Sequence, residues 1–174
     1  MQQQYTSIPL SNVGLRYGII LGVITIVIFL ISILFEGQVV IGGSLFHFPF
    51  YAVIVYRAHR YFKQYTGGYM RFGQGMRIAS WTGLVGNLMS SFFTYVYVKF
   101  IDTPFLDTLR DKQVAEIAGS NLPKADIEEL VKILNELLRP EPLFFTTVIG
   151  GWISVVIVAL VVTKFTKTKP APAH

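Results

Sequence analysis

Residues 17–35 read YGIILGVITIVIFLISILF, nineteen positions without one Asp, Glu, Lys or Arg. A helix rises about 1.5 Å per residue, so roughly 20 apolar residues cross about 30 Å of hydrocarbon with every backbone N–H and C=O paired internally. The stretch is therefore a predicted membrane span. Three more charge-free stretches follow at 39–56, 78–98 and 143–163, of 18, 21 and 21 residues. Only Glu36, Gly37 and Gln38 separate the first two, which predicts a tight helical hairpin. The expected fold is all-α: a polytopic membrane protein with four transmembrane helices, forming a single membrane domain over residues 1–174. An extracytoplasmic helical hairpin or cap at about 99–142 is expected between helices three and four.

Composition points the same way. Of 174 residues, 52% are hydrophobic and 14% charged, well below the charge of an ordinary soluble domain. A soluble helix bundle would need polar faces that these stretches lack. The absence of cysteine excludes disulfides, thiolate metal sites and cysteine nucleophiles. The opening MQQQYTSIPLSNVGLRYG has no basic n-region, and the apolar run after it is too long for a signal peptide. A retained first helix is the expectation.

Charge gives the orientation. Arg16, Arg57, Arg60, Lys63, Arg71, Arg77, Lys164, Lys167 and Lys169 flank the stretches on one predicted side, where no acidic residue occurs. The other side holds all ten acidic residues, Glu36 and nine between Lys99 and Pro142, against six basic ones. Lys and Arg mark the cytoplasmic face, so a bacterial inner (cytoplasmic) membrane protein with both termini in the cytoplasm is expected. The net charge of +5 then reflects topology, and no nucleic-acid partner is expected.

The predicted cytoplasmic loop, YRAHRYFKQYTGGYMRFGQGMR at 56–77, interleaves basic and aromatic residues. Its glycines match neither a P-loop nor a dinucleotide fingerprint. Arg57, Arg60, Lys63 and Arg71 are read as lipid-facing basic residues, Tyr56, Tyr61, Tyr65 and Tyr69 as an aromatic belt, and Gly67-Gly68 as a turn.

In the acidic segment, Asp102-Thr103-Pro104 is a helix-start signal, a capping side chain before a first-turn proline, predicting a helix from about Pro104 to Ala118. A second helix starts near Pro123, with Ile127, Leu130, Val131, Leu134, Leu137 and Leu138 at helical spacing. Pro140 and Pro142 are expected to end it. It is too short and too charged to span, and its acidity gives it no attraction to anionic lipid. Packing on the spans or on a partner is the expectation.

Within the spans, Gly14, Gly18 and Gly22 form a small-residue stripe, with Gly83 and Gly150 on similar stripes in spans three and four. Such helix-packing glycines let backbones approach closely, toward another span or a second copy of the chain. His47 and Asn87 are the candidate intramembrane polar pair, since buried polar groups in lipid need partners and both fall near mid-membrane. No span carries a carboxylate or an amine for an ion relay. His47, His59 and His174 lie at separate depths, and no serine sits in a nucleophile elbow. Catalytic residues, cofactors and metal sites are accordingly predicted to be none.

Three stretches carry a resemblance: Tyr17-Gly18, Gly67-Gly68-Tyr69-Met70-Arg71-Phe72-Gly73-Gln74, and Phe100-Ile101-Asp102-Thr103-Pro104-Phe105-Leu106. With them the chain resembles a family of small four-helix bacterial inner-membrane proteins, abundant in Bacteroidetes, catalogued as a domain of unknown function. The resemblance implies topology and no activity. The expected function is a non-enzymatic structural or interaction component of the cell envelope. Its expected partners are the lipid bilayer and a protein, or a second copy of the chain, met through span one or the outer helices. The alternatives are a small channel or transporter and, third, an intramembrane enzyme.

Overall fold

The structure, a computed structural model, describes residues 8–34 and 44–168. Among these residues are six α-helices: α1 (Leu10–Leu34), α2 (Ser44–Tyr65), α3 (Phe72–Val96), α4 (Pro104–Ala118), α5 (Lys124–Leu137) and α6 (Pro140–Thr166). A π-helical turn, Tyr97–Ile101, prolongs α3 and closes with the Asp102 N–H on the Tyr97 carbonyl at 2.9 Å. No strand occurs among the described residues; one isolated antiparallel bridge joins Met70 to Thr168.

Among the described residues three helices are long and apolar enough to cross a membrane: α1, α3 with its π turn, and α6. The second charge-free stretch differs. Residues 39–43 lie outside the described ones, as does the expected hairpin Glu36 to Gln38. From Ser44 to Tyr56 only thirteen charge-free residues remain, about 20 Å of helix, before Arg57, Arg60 and Lys63. α2 is thus half apolar and half cationic.

Prolines set the starts more than side-chain caps do. α4 opens with Pro104 in its first turn, and Thr103 makes no capping hydrogen bond. Pro140 and Pro142 do not terminate α5, which ends at Leu137; both lie in the first turn of α6, where a missing N–H has no intrahelical partner to lose.

The helices fall into two compact units, one comprising the described residues up to Ser90 with those from Ile149 onward, the other Ser91–Val148. In the first, Leu21, Tyr51, Ile54, Val55, Ala79, Val155 and Ala159 form one buried cluster. Val13, Ala58, Phe62, Met70 and Ile78 form another. α1 presents Leu15, Ile19, Ile20, Val23 and Val27 outward, an apolar exterior suited to lipid. In the second unit α4 packs on α5, with Leu106, Leu109 and Leu138 buried. α5 itself contains no buried residue.

Candidate functional site at the basic end of the helices

The glycine stripe of α1 faces α3. A Cβ at Gly14 would collide with Trp81 Cβ, one at Gly18 would lie 2.7 Å from Val85 Cβ, and one at Gly22 3.1 Å from Met89 Sδ. α3 reciprocates: a Cβ at Gly86 would lie 2.9 Å from Leu21, and one at Gly83 2.9 Å from Val155 Cβ on α6. On α6 the close glycine is Gly151, whose Cβ would strike the Asn87 amide, whereas Gly150 has open space at that position. Small residues thus set the helix separations, because in lipid the gain comes from close van der Waals approach.

Asn87 is buried, and its Nδ2 donates to the Gly83 carbonyl at 2.7 Å while the amide rests against Gly151. Its side chain is engaged with its own helix and with α6. The His47 ring lies 6.0 Å from that of Tyr51, tilted by 41°. Arg57, Arg60 and Arg71 are exposed, and Lys63 is half-buried.

Among the buried polar residues is His59, fully enclosed on the face that also carries Val55, Ala58 and Phe62. That spacing of i, i+3, i+4 and i+7 places a histidine in an apolar stripe, and it is the signal by which the sequence could have revealed it. His59 Nε2 lies 3.0 Å from the Gly75 carbonyl of α3, and Nδ1 lies 2.8 Å from Thr166 Oγ1 of α6. The ring ties three helices at one point.

Donor and acceptor chemistry fixes its state. A carbonyl only accepts, so Nε2 carries the proton and donates to Gly75. Burial pushes the His59 pKa down to about 4, outweighing the Gly75 hydrogen bond, which raises it, and the Lys63 charge adds to the lowering. The imidazole is neutral at pH 7, and Nδ1 accepts from the Thr166 hydroxyl. That hydroxyl also sits 2.9 Å from the Val162 carbonyl, giving it two acceptors for one proton.

The stretch 67–75 builds the walls. Gly67 and Gly68 adopt φ of 62° and 85°, which side chains disfavour, and turn the chain after α2. The turn delivers Tyr69 outward and Met70 inward, where it is buried. The Met70 N–H donates to Thr168 Oγ1 at 3.1 Å, the Thr168 N–H to the Met70 carbonyl at 3.0 Å, and Thr168 Oγ1 to the Gly68 carbonyl at 2.7 Å. Gln74 Oε1 then accepts from the Arg71 N–H at 2.8 Å, the reaching-back half of a capping box at the start of α3. Gly75 completes the enclosure: a Cβ there would lie 2.7 Å from Thr163 Cγ2 and 3.2 Å from His59 Nε2. The loop clasps the end of α6 and closes over the histidine. Beside it, the Arg16 guanidinium stands 4.7 Å from the Tyr61 ring centroid and donates to its hydroxyl at 2.8 Å, holding α1 to α2.

Among the described residues no three His, Asp or Glu side chains converge as metal ligands. What the constellation does is mechanical and electrostatic: it fastens α2, α3 and α6 through one neutral histidine at the end rich in cationic side chains. The all-helical architecture, with three span-length apolar helices, defines the class as a helical membrane protein. Over residues 16–168 the chain matches the family described as Protein of unknown function (DUF4199), and it belongs to that family. No curated protein and no solved structure matches it. The matched region contains the whole clasp, from Arg16 to Thr168.

Proposed function

We propose that this chain is a non-enzymatic interaction component of a bacterial inner membrane, crossing it four times with both termini in the cytoplasm. In this reading the His59 clasp lies at the cytoplasmic end, where Arg57, Arg60 and Arg71 meet the anionic leaflet, and α4 and α5 lie outside. The charge asymmetry supports the orientation. One observation carries the function. The buried polar side chains Thr82, Asn87 and Ser91 are taken up in hydrogen bonds, the first two to Ile78 and Gly83 carbonyls of their own helix and the third with Thr147, while α5 leaves Leu130, Ile133 and Leu137 exposed beside four acidic side chains. Chemistry in the chain's interior has few groups to work with, and a partner has an amphipathic helix to meet. The transporter alternative drew its oligomer seam from the glycines of α1, and α3 occupies them.

Crosslinking followed by co-purification from native membranes tests the proposal. The expected result is a discrete partner that is lost when Ile133 and Leu137 are both changed to Asp, with the membrane level of the chain unchanged. A chain that captures nothing in either form removes the interaction reading.

A further inference from the structure

A second constellation lies within the Ser91–Val148 unit. Phe92 and Tyr95 on α3 and Phe144 and Phe145 on α6 line a cleft of about 330 Å³, with Glu141 at its edge. Phe92 and Phe145 are 60% and 61% exposed, so the cleft is open and apolar. Its volume falls within the roughly 300–1,000 Å³ of small-molecule sites. It also sits where the charge-free stretches end, at Val98 in the π-helical turn after α3 and at Leu143 on α6. Immediately beyond, Lys99 Nζ donates to Glu141 Oε1 at 2.8 Å and to the Tyr95 hydroxyl at 2.6 Å, and stands 4.9 Å from the Tyr95 ring centroid. Aromatic apolar surface therefore runs directly into one cation paired with one anion, both partly exposed.

We propose that this cleft holds a phospholipid of the surrounding bilayer whose headgroup carries a phosphate and a primary ammonium, the acyl end lying against the four rings and the headgroup against Lys99 and Glu141. The match is one of charge and of hydrogen-bonding capacity. An ammonium has three N–H donors, of which Lys99 directs two at Tyr95 and Glu141, leaving one for a phosphate oxygen. The Tyr95 hydroxyl accepts from Lys99 and turns its own proton toward the Glu141 carboxylate, so it holds the cation and the anion side by side. The Glu141 carboxylate takes Lys99 on Oε1 and has further lone pairs for the lipid ammonium. A purely anionic headgroup would satisfy Lys99 but face the Glu141 charge. A quaternary ammonium has no N–H for the carboxylate, and the place it would favour, over the Tyr95 ring, is already held by Lys99. An ethanolamine-type headgroup meets both charges and also gives the carboxylate the N–H donors that choline lacks.

The inference rests on the membrane placement proposed above, so the test records membrane retention separately from headgroup preference. The purified full-length chain is reconstituted into vesicles of equal parts phosphatidylethanolamine, phosphatidylglycerol and phosphatidylcholine, re-extracted gently, and its retained lipids are counted by native mass spectrometry. The expected wild-type result is enrichment of the ethanolamine lipid by about two- to fivefold over its share, the range that exposed charge pairs support. Glu141→Gln should bring that share to parity with the glycerol lipid, and Lys99→Met should lower retention of all three. Even shares in the wild type, enrichment of the choline lipid, or an unchanged preference in Glu141→Gln would overturn the site. Should Glu141→Gln fail to purify as a folded helical chain, the wild type re-extracted at 1 M salt decides. There screening acts within about 3 Å, and a preference that does not fall overturns the assignment. A chain that stays in the vesicles without any preference refutes the lipid site alone; one that leaves them refutes the membrane placement too.

Discussion

The helices α1 and α5 solve opposite packing problems. Beyond Arg16, α1 carries no charged residue on any side, and the side it turns to α3 is the one with the least side chain: Gly14, Gly18 and Gly22 against Trp81, Val85 and Met89. α5 has apolar residues at helical spacing, the pattern that in water identifies a buried face, and buries none of them. In a chain whose outer surface suits hydrocarbon, apolar periodicity stops identifying the core. Close approach takes over, and glycine marks it.

The largest expected effect comes from removing that closeness. Replacing Gly14 and Gly18 together by Leu puts two branched side chains where Trp81 and Val85 leave no room, and overpacking of this kind costs about 1–3 kcal/mol per site. The double variant should lose about 4 kcal/mol of stability, read as earlier thermal unfolding in detergent. Gly150→Ala is the opposite case. It lies in a helix with open space around it and should be neutral or up to about 1 kcal/mol more stable, through helix propensity. If both variants behave alike, the α1–α3 seam is not what holds the helices.

The second effect is pH-dependent and belongs to His59. Its pKa is depressed when folded, from the ordinary 6.5 to about 4. Because the folded value lies below the unfolded one, the unfolded chain takes up the proton first. The stability contribution is complete above about pH 6.5 and is lost as pH falls from there toward 4. A shift of that size is worth about 3 kcal/mol at most. Unfolding followed from pH 7 to pH 4 should show this loss in the wild type and a much flatter profile in His59→Gln. Equal slopes would place the acid sensitivity elsewhere.

A smaller effect tests the clasp from its other side. Thr168→Ala removes the hydroxyl that joins the Met70 N–H to the Gly68 carbonyl while leaving the backbone bridge intact. About 1 kcal/mol should be lost, with Thr168→Ser restoring most of it. Amide exchange at Met70 is the direct readout, and faster exchange in the alanine variant alone is the expected pattern.

What the sequence revealed follows from the same physics. Lipid imposes a length and a composition on each crossing helix, so the apolar parts of α1, α3 and α6 are legible as charge-free runs. The apolar half of α2 is cut short by Arg57 among the described residues, and the rest of its charge-free run falls at 39–43, outside them. The Gly67-Gly68 turn is legible because only a positive φ requires such a pair. The site is less so. Asn87 is recognisable as a buried amide, but its contact is a glycine on α6, and a glycine offers no donor or acceptor side chain to search for. His59 lies among arginines and tyrosines in the sequence. Its burial depends on Met70 and Gly75 from one segment and Thr166 from another far along the chain, and only the fold brings those together.

The smallest effect on stability is expected in α5. Changing Ile133 and Leu137 of α5 to Asp removes 47% and 43% exposed apolar side chains from a helix that buries none of its residues. Surface substitutions away from packed features fall within about 0.5 kcal/mol of neutral, so thermal unfolding should barely move. If α5 serves a partner, the same pair of changes should abolish its crosslinks, separating binding from folding in a single double variant. Unfolding at a much lower temperature would mean that the apolar stripe is buried in the free chain, and α5 would then belong with α1 among the helices that hold the molecule together.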